Sequence, residues 1–288
     1  MKVGGRRARG AEFNNLLTRG HGDTETQRKR KIVFPKVVFF SVLFICLLGS
    51  GISWATSAEE ILEKVDDLWR GESSYAQMTM DVRTEHYERS MVLKAWSLGK
   101  EESLFVITYP PKDRGVATLK TGKDIWNYLP RVNRVIRVPT SMMMANWMGS
   151  HFTNDDLVKE SRLSEDYESE ITFEGVREGE ESAVYEITLT PRPDAPVVWG
   201  RIEFTVLQNE LLPLEGLYYD EDNVLIRTMT FSDIREMAGR RVPAVMTLIP
   251  EDKPGERTVI TYDSLDLGLN LKKDFFSRQT LTRKDLVR

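Results

Sequence analysis

Cysteine is almost missing from this chain: Cys46 is the only one among 288 residues, which excludes an internal disulfide and a cysteine-based zinc site. Histidine is nearly as scarce. Beyond the N-terminal region only His86 and His151 remain, little material for acid–base work or a histidine metal centre. With 19 Gly and 12 Pro the composition excludes a collagen-like repeat, and 41% hydrophobic with 29% charged residues excludes a disordered tract or a polytopic membrane protein. A phosphate loop is also lacking, since Gly115 and Gly122 enclose six residues instead of four and Asp124 stands where Ser or Thr should follow Lys123. No nucleophile has a base and an orienting acid at an interpretable spacing. The expectation is a protein that is not an enzyme and carries no cofactor or metal.

The N-terminal region differs from the rest. Arg28, Lys29, Arg30 and Lys31 precede an uncharged apolar run from Val37 to Ile52, and Ala55, Thr56, Ser57 and Ala58 follow. This is the order of a secretory signal: basic, apolar, then small residues. Residues 1–27 read as a disordered cytoplasmic lead, 28–55 as the signal peptide and 56–288 as the exported domain, with cleavage after Ala55 or Ala58. An uncleaved inner-membrane anchor facing the periplasm is the alternative, because the run with its flank reaches the ~18 residues a span needs. Ile45 before Cys46 does not fit a lipoprotein signal. Of the 40 basic and 44 acidic residues, 10 and 3 lie in 1–58, so the remainder carries a net charge of about −11. An acidic domain lacks the positive footprint of a nucleic-acid binder.

Ile61, Leu62, Val65, Leu68 and Trp69 recur at helical spacing, so 58–70 should form an amphipathic helix, capped by Ser57 with Glu60 and ended by Gly71. The period then changes to two. Met78, Met80 and Val82 alternate with Thr79, Asp81 and Arg83, and Met91, Leu93 and Ala95 oppose Val92, Lys94 and Trp96. Similar runs, separated by short polar turns, continue to Tyr262. The fold class expected is mainly β with short helices: about eleven antiparallel strands in a meander, too many for a flat open sheet and therefore curled into a barrel or half-barrel.

Residues 139–161 interrupt the strands. Thr140 or Ser141 can cap a short helix carrying Met142, Met143, Met144, Trp147 and Met148, and Asn154 can cap a second one over 155–159. His151, Asp155 and Asp156 could approach one another as a metal or acid–base cluster, but two acids after a cap more simply answer the helix dipole. Methionine repacks around different shapes, so the segment suits an adaptable apolar surface as well as core filling. No acid occurs from Ile125 to Thr153, while Arg131, Arg134 and Arg137 add positive charge. That mixture fits an amphiphile with an anionic head.

The joined runs WNYLPRVNRVIRVP (126–139) and SMMMANWMGSHFTNDDL (141–157) resemble the outer-membrane lipoprotein-sorting protein family, the LolA-like periplasmic carriers, in a branch of uncharacterised bacterial proteins. The resemblance runs from the helix at 58 to near residue 280. It implies a half β-barrel lidded by helices over an apolar hollow, of LolA/LolB type, in the periplasm of a Gram-negative envelope. The best-known carriers hold an Arg-Pro pair at the end of an early strand, whose arginine helps latch the lid. The corresponding turn here is Tyr109-Pro110.

The function expected is lipid binding and lipoprotein transport: a carrier that buries the acyl chains of a lipid or lipoprotein and moves it between envelope membranes, with an inner-membrane transporter as donor and an outer-membrane acceptor. Removing a chain of about 16 carbons from water is worth roughly 12 kcal/mol at ~0.8 kcal/mol per methylene. Trp126, Tyr128, Met142, Met143, Met144, Trp147, Met148 and Phe152 are the candidates for the hollow or its lid. Arg131, Arg134 and Arg137 are the candidates for its mouth. An envelope sensor or partner-binding module on the same scaffold is the alternative.

Overall fold

The computed structural model describes residues 56–159, 163–179, 181–195 and 197–287. The lead and signal peptide expected at 1–55 lie outside the described residues. Helix α1 (Ala58–Arg70) has the bounds its periodicity gives. Ser57 Oγ accepts from the Glu60 amide at 3.2 Å, and Gly71, at φ 53°, closes the helix as its amide donates to Asp67 O. Left-handed backbone of this kind favours glycine.

Six strands follow as a meander: β1 (Ser73–Arg83), β2 (Glu88–Leu98), β3 (Glu102–Tyr109), β4 (Ala117–Thr121), β5 (Asp124–Leu129) and β6 (Arg134–Arg137). A crossing segment holds 3-10 turns at Thr140–Met142 and Trp147–Gly149 and two one-turn helices, α2 (Asp156–Lys159) and α3 (Leu163–Asp166). A second meander then runs through β7 (Tyr167–Val176), β8 (Ala183–Pro191), β9 (Arg201–Leu207), β10 (Pro213–Tyr219), β11 (Leu225–Met237), β12 (Arg240–Pro250) and β13 (Arg257–Leu267).

The two meanders form one 13-stranded sheet, in the order β6-β5-β4-β3-β2-β1-β13-β12-β11-β10-β9-β8-β7. Antiparallel pairing of β1 with β13, with Met80 opposite Ile260 and a bulge between Gln77 and Met78, joins the halves. β6 and β7 are the two free edges, so the sheet is unclosed. It nevertheless curls. β3 and β9 stand seven places apart, about 34 Å in a flat sheet at ~4.8 Å per strand, yet Phe105 and Phe204 line one small cavity.

The inner face carries the main core, with Met80, Met91, Leu93, Ile107, Ile187, Ile202, Met229 and Leu248 packed against Ile61, Leu62 and Val65 of α1. The outer face of β3 to β5 is also covered. There the C-terminal residues Phe276, Leu281 and Leu286 pack on Leu104, Val106, Ala117 and Leu119.

Two expectations are corrected. Among the described residues the strands number thirteen rather than about eleven; β7, an edge strand with Glu168, Glu170 and Glu174 on it, has only one fully buried residue, Tyr167. An edge strand needs no continuous apolar face, so its signal is weak. The Met/Trp segment is not a capped helix. Its first 3-10 turn starts at Pro139 with no side-chain cap, and Met148 sits at φ 51° inside the second.

Candidate ligand cavity

A cavity of about 230 Å³ lies between α1 and the inner face of the sheet. From the helix come Leu62, Val65 and Trp69, and from the sheet Met78, Phe105, Phe204, Phe231, Met246, Ile260 and Tyr262. Trp69 stacks on Phe231 and Tyr262, with ring centroids 5.9 and 6.1 Å away, and its Nε1 donates to Pro243 O at 3.1 Å. The indole is therefore pinned at one end while its apolar body forms part of the wall. Gly216 of β10 makes room for this packing, since a Cβ there would stand 3.0 Å from the Phe204 ring.

The face is graded. Alternation along β1 to β4 places Ser74, Ser97, Ser103 and Lys120 in one cross-strand row, with Ala76, Ala95, Phe105 and Thr118 in the next and Met78, Leu93 and Ile107 beyond. The first row is polar, the others almost wholly apolar. A small dry apolar cavity of ~150 Å³ takes up benzene; by that measure about 230 Å³ holds roughly nine carbons.

The crossing segment is fastened to the sheet at several points. Trp147 Nε1 donates to Thr118 Oγ1 at 3.1 Å, and its ring meets Phe105 edge-on at 5.0 Å. Tyr87 Oη donates to Gly149 O at 2.7 Å and Arg89 Nη1 to Met148 O at 3.2 Å. The buried His151 ring bridges β13 and its preceding turn, with Nδ1 2.8 Å from Thr258 Oγ1 and Nε2 2.9 Å from Glu256 Oε2. Glu256 is held below the ordinary carboxylate value, first by the Glu85 amide and then by the His151 ring.

The strongest fastening is Asp156. Both its oxygens accept from Arg227 of β11 at 2.8 Å, and these side chains are only 7% and 5% exposed. Arg227 in turn lies between the rings of Trp199 and Tyr218, at 4.4 and 4.2 Å. Asp156 also caps α2 reciprocally with Thr153: the Thr153 amide donates to Asp156 Oδ2 at 2.7 Å and the Asp156 amide to Thr153 Oγ1 at 3.2 Å. Asn154, expected as the cap, instead donates to Met142 O and Ala145 O at 3.1 Å each. Nearby, burial pushes the Tyr167 phenol far above its usual range, with Asp166 and Asp155 adding to it.

Of the residues expected at the hollow, Trp147 and Phe152 line it, and Met148 packs against the same core. Met143 is half-buried; Met142 and Met144 are 52% and 48% exposed. Trp126 and Tyr128 belong to the outer cluster. They alternate with Ile125 and Asn127, and that parity turns them away from the cavity, with Trp126 under the Arg278 guanidinium at 4.8 Å. The three arginines expected at the mouth are exposed on the β5–β6 edge. Arg131 donates to Lys112 O at 2.7 Å, Arg137 pairs with Asp124, and none of the three lines the cavity. The proposed approach of His151 to Asp155 and Asp156 is replaced by the contacts with Glu256 and Arg227, and among the described residues no group of three His, Cys, Asp or Glu could hold a metal. No described helix is long and apolar enough to cross a membrane.

Solved structures share this architecture. A DUF1329 family protein from Desulfovibrio piger superposes with a TM-score of 0.69 at 22% identity, over 77% of this chain and 97% of its own. A LolA superfamily protein from Nitrosomonas europaea gives 0.66 at 23%, over 78% and 100%. A Vibrio parahaemolyticus domain, named for outer membrane lipoprotein sorting, gives 0.66 at 20%, over 78% and 98%. A protein-family model whose description reads only "Uncharacterized protein" matches residues 99–283, more than half of the chain. The chain belongs to the family of that model, and its fold is LolA-like. No curated protein matches it. The LolA-like likeness carries the fold: an unclosed antiparallel sheet with its first helix on the inner face.

Proposed function

We propose that this LolA-like protein is a periplasmic carrier that shelters an acyl chain of a lipid or lipidated protein and passes it between envelope membranes without chemical change to the cargo. The observation that carries the reading is the cavity of about 230 Å³ under α1, left open by side chains that could have filled it. Protein interiors ordinarily close such spaces, because a void forfeits contacts on every wall. In this reading α1 and the crossing segment form the lid, Trp147, Phe152 and Met148 its inner lining, and Met143 its flexible margin.

The edge at β5–β6 has a separate role in the proposal. Leu129, Val132, Ile136, Met142 and Met144 are exposed there, among Arg131, Arg134 and Arg137. An apolar and cationic edge on an acidic domain suits contact with an anionic membrane surface or an acidic transporter. A sensor that uses this edge to hold a partner, and not a cargo, is the rival.

Full-length protein purified without detergent and examined by native mass spectrometry should retain an amphiphile, and should take up a fluorescent fatty acid. An empty protein that takes up none would overturn the carrier reading. A stable protein partner, lost on charge reversal of Arg131, Arg134 and Arg137 while lipid is never bound, would establish the sensor.

A further inference from the structure

Exposed apolar side chains are unevenly placed on this domain. Among the described residues eleven large hydrophobic side chains stand exposed, and five of them, Leu129, Val132, Ile136, Met142 and Met144, fall in the sixteen residues 129–144. That run is the β5–β6 turn, the free edge strand β6 and the start of the crossing segment. A lone exposed apolar residue needs no explanation, whereas a cluster along one edge marks an interaction site. Arg131 donates to Lys112 O at 2.7 Å and so ties the turn to the β3–β4 loop, beside which Tyr109 is 56% exposed. None of these six apolar side chains lines the cavity. The charges along the edge are one-sided once pairs are counted. Asp113 is taken by Arg89 at 2.9 Å, Asp124 by Arg137 and Asp156 by Arg227, while Arg114 donates to Val287 O. Asp155 lies beside the methionines, its amide donating to Met143 O at 2.8 Å, so the excess of positive charge falls at the turn. There Lys112, Arg131 and Arg134 are exposed, with no carboxylate partner among the described residues.

We propose that the β5–β6 turn and the adjoining β3–β4 loop dock on the surface of an anionic bilayer. Leu129, Val132 and Tyr109 enter below the headgroups, and Lys112, Arg131 and Arg134 meet the phosphates. This rests on the carrier reading and replaces its open choice between membrane and transporter with the membrane. Two features favour lipid over protein. Cations and apolar side chains alternate through Leu129, Arg131, Val132, Arg134, Ile136 and Arg137, the pattern with which surface-bound segments bury apolar tips while their cations stay at the interface. In a protein interface each guanidinium needs an acceptor fixed to match it, whereas a fluid headgroup layer brings phosphate to wherever the cation stands. The same surface repels the rest of a domain whose net charge is about −11 over residues 59–288, and so turns this corner toward it.

The test places an environment-sensitive fluorophore on Val132→Cys, with Cys46→Ser so that the label has a single thiol. The full-length protein is titrated with vesicles of phosphatidylcholine alone or mixed equally with phosphatidylglycerol. Because the dye reports its own site, attachment through the N-terminal apolar run does not imitate the signal. Emission should shift to the blue on the mixed vesicles at a lipid concentration at least ten-fold below any shift on phosphatidylcholine. The same dye on Val224→Cys, a position 54% exposed between β10 and β11, should stay in water. Arg131→Glu with Arg134→Glu should raise the lipid required at least ten-fold, as should about 0.5 M salt, which decides if the double variant fails to fold. No shift at Val132 on either vesicle, or equal shifts on both, would overturn the proposal. So would a shift seen only with native membranes and abolished by prior trypsin treatment, which would put a protein partner at the edge instead. Fatty-acid uptake should survive the double change, since neither arginine lines the cavity; a parent protein that inserts Val132 yet takes up no fatty acid would sink the carrier reading alone.

Discussion

Removing the Asp156 carboxylate tests how the crossing segment is held. Asp156→Ala leaves the Arg227 guanidinium, whose side chain is 5% exposed and lies between two aromatic rings, without the carboxylate it holds at 2.8 Å. Breaking one side of a buried pair costs about 3–5 kcal/mol, because the surviving charge is stranded. The α2 cap goes with it, worth about 1 kcal/mol. For a domain of this size the pair alone corresponds to a fall in Tm of roughly 6–20 °C. Asp156→Asn keeps an acceptor for the Thr153 amide and so separates the cap from the charge. Asp156→Leu combined with Arg227→Met removes both charges and should cost less than either single change, since paired apolar replacements of buried ion pairs are near neutral. Urea unfolding followed by tryptophan fluorescence measures these three variants together with the single changes Asp156→Leu and Arg227→Met. A loss below about 1 kcal/mol for Asp156→Ala, or a double variant whose cost equals the sum of the singles, would refute the reasoning.

Ala76 lies 4% exposed in the row above the serines and lines the cavity. Ala76→Phe should fill the space, abolish uptake of a fluorescent fatty acid and leave stability unchanged or raised by about 0.5–2 kcal/mol; persistent uptake would show that cargo binds elsewhere. Glu256 has its folded pKa lowered from 4.5, so its contribution to stability is present above that value and is lost as pH falls through the lowered folded one. Glu256→Gln should therefore lower Tm at neutral pH and converge with the parent in acid below pH 4.5, whereas parallel curves into strong acid would contradict the His151–Glu256 tie. Amides of α1 should exchange with deuterated solvent faster than those of β1 and β13, and slow when a fatty acid is bound; equal protection with and without ligand would remove α1 as the moving cover.

Much of the fold is legible in local pattern, and the exceptions have physical causes. Helix α1 announces itself through both period and caps. β1 and β2 do so through strict alternation, because one side of each faces the core at their centre. Trp126 and Tyr128 mislead because β5 is covered on both faces: their parity is plain in the sequence, but which parity is inward depends on the C-terminal residues 268–287 packing outside. The Met/Trp segment misleads differently. Its geometry is imposed by tethers such as Asp156–Arg227, 71 residues apart, and no local propensity encodes a partner at that distance. The cavity wall is scattered for the same reason. Met78, Phe105, Phe204, Phe231 and Tyr262 each look like ordinary strand core, and only the curl of the sheet brings them around one space.

The two covers of that space are fastened in different currencies, which bears on how the proposed lid would open. The crossing segment is tied by a buried ion pair, a buried indole bond and a buried histidine ring, and undoing the ion pair alone costs about 3–5 kcal/mol with no cargo able to replace it. Helix α1 is held mainly by Ile61, Leu62 and Val65, with polar ties at Trp69 to Pro243 O and Arg240 to Asp67 O. Exposing three such side chains costs about 4.5–9 kcal/mol at ~1.5–3 kcal/mol each. A tail of roughly nine carbons returns about 7 kcal/mol at ~0.8 kcal/mol per methylene, so cargo can offset the undocking of α1 almost in kind, apolar surface for apolar surface. The chain joins α1 to β1 through Gly71 at φ 53°, a conformation glycine can enter and leave at little cost. Exchange of one apolar contact for another at a glycine joint keeps both states within a few kcal/mol, the condition under which a carrier can both take up its cargo and release it.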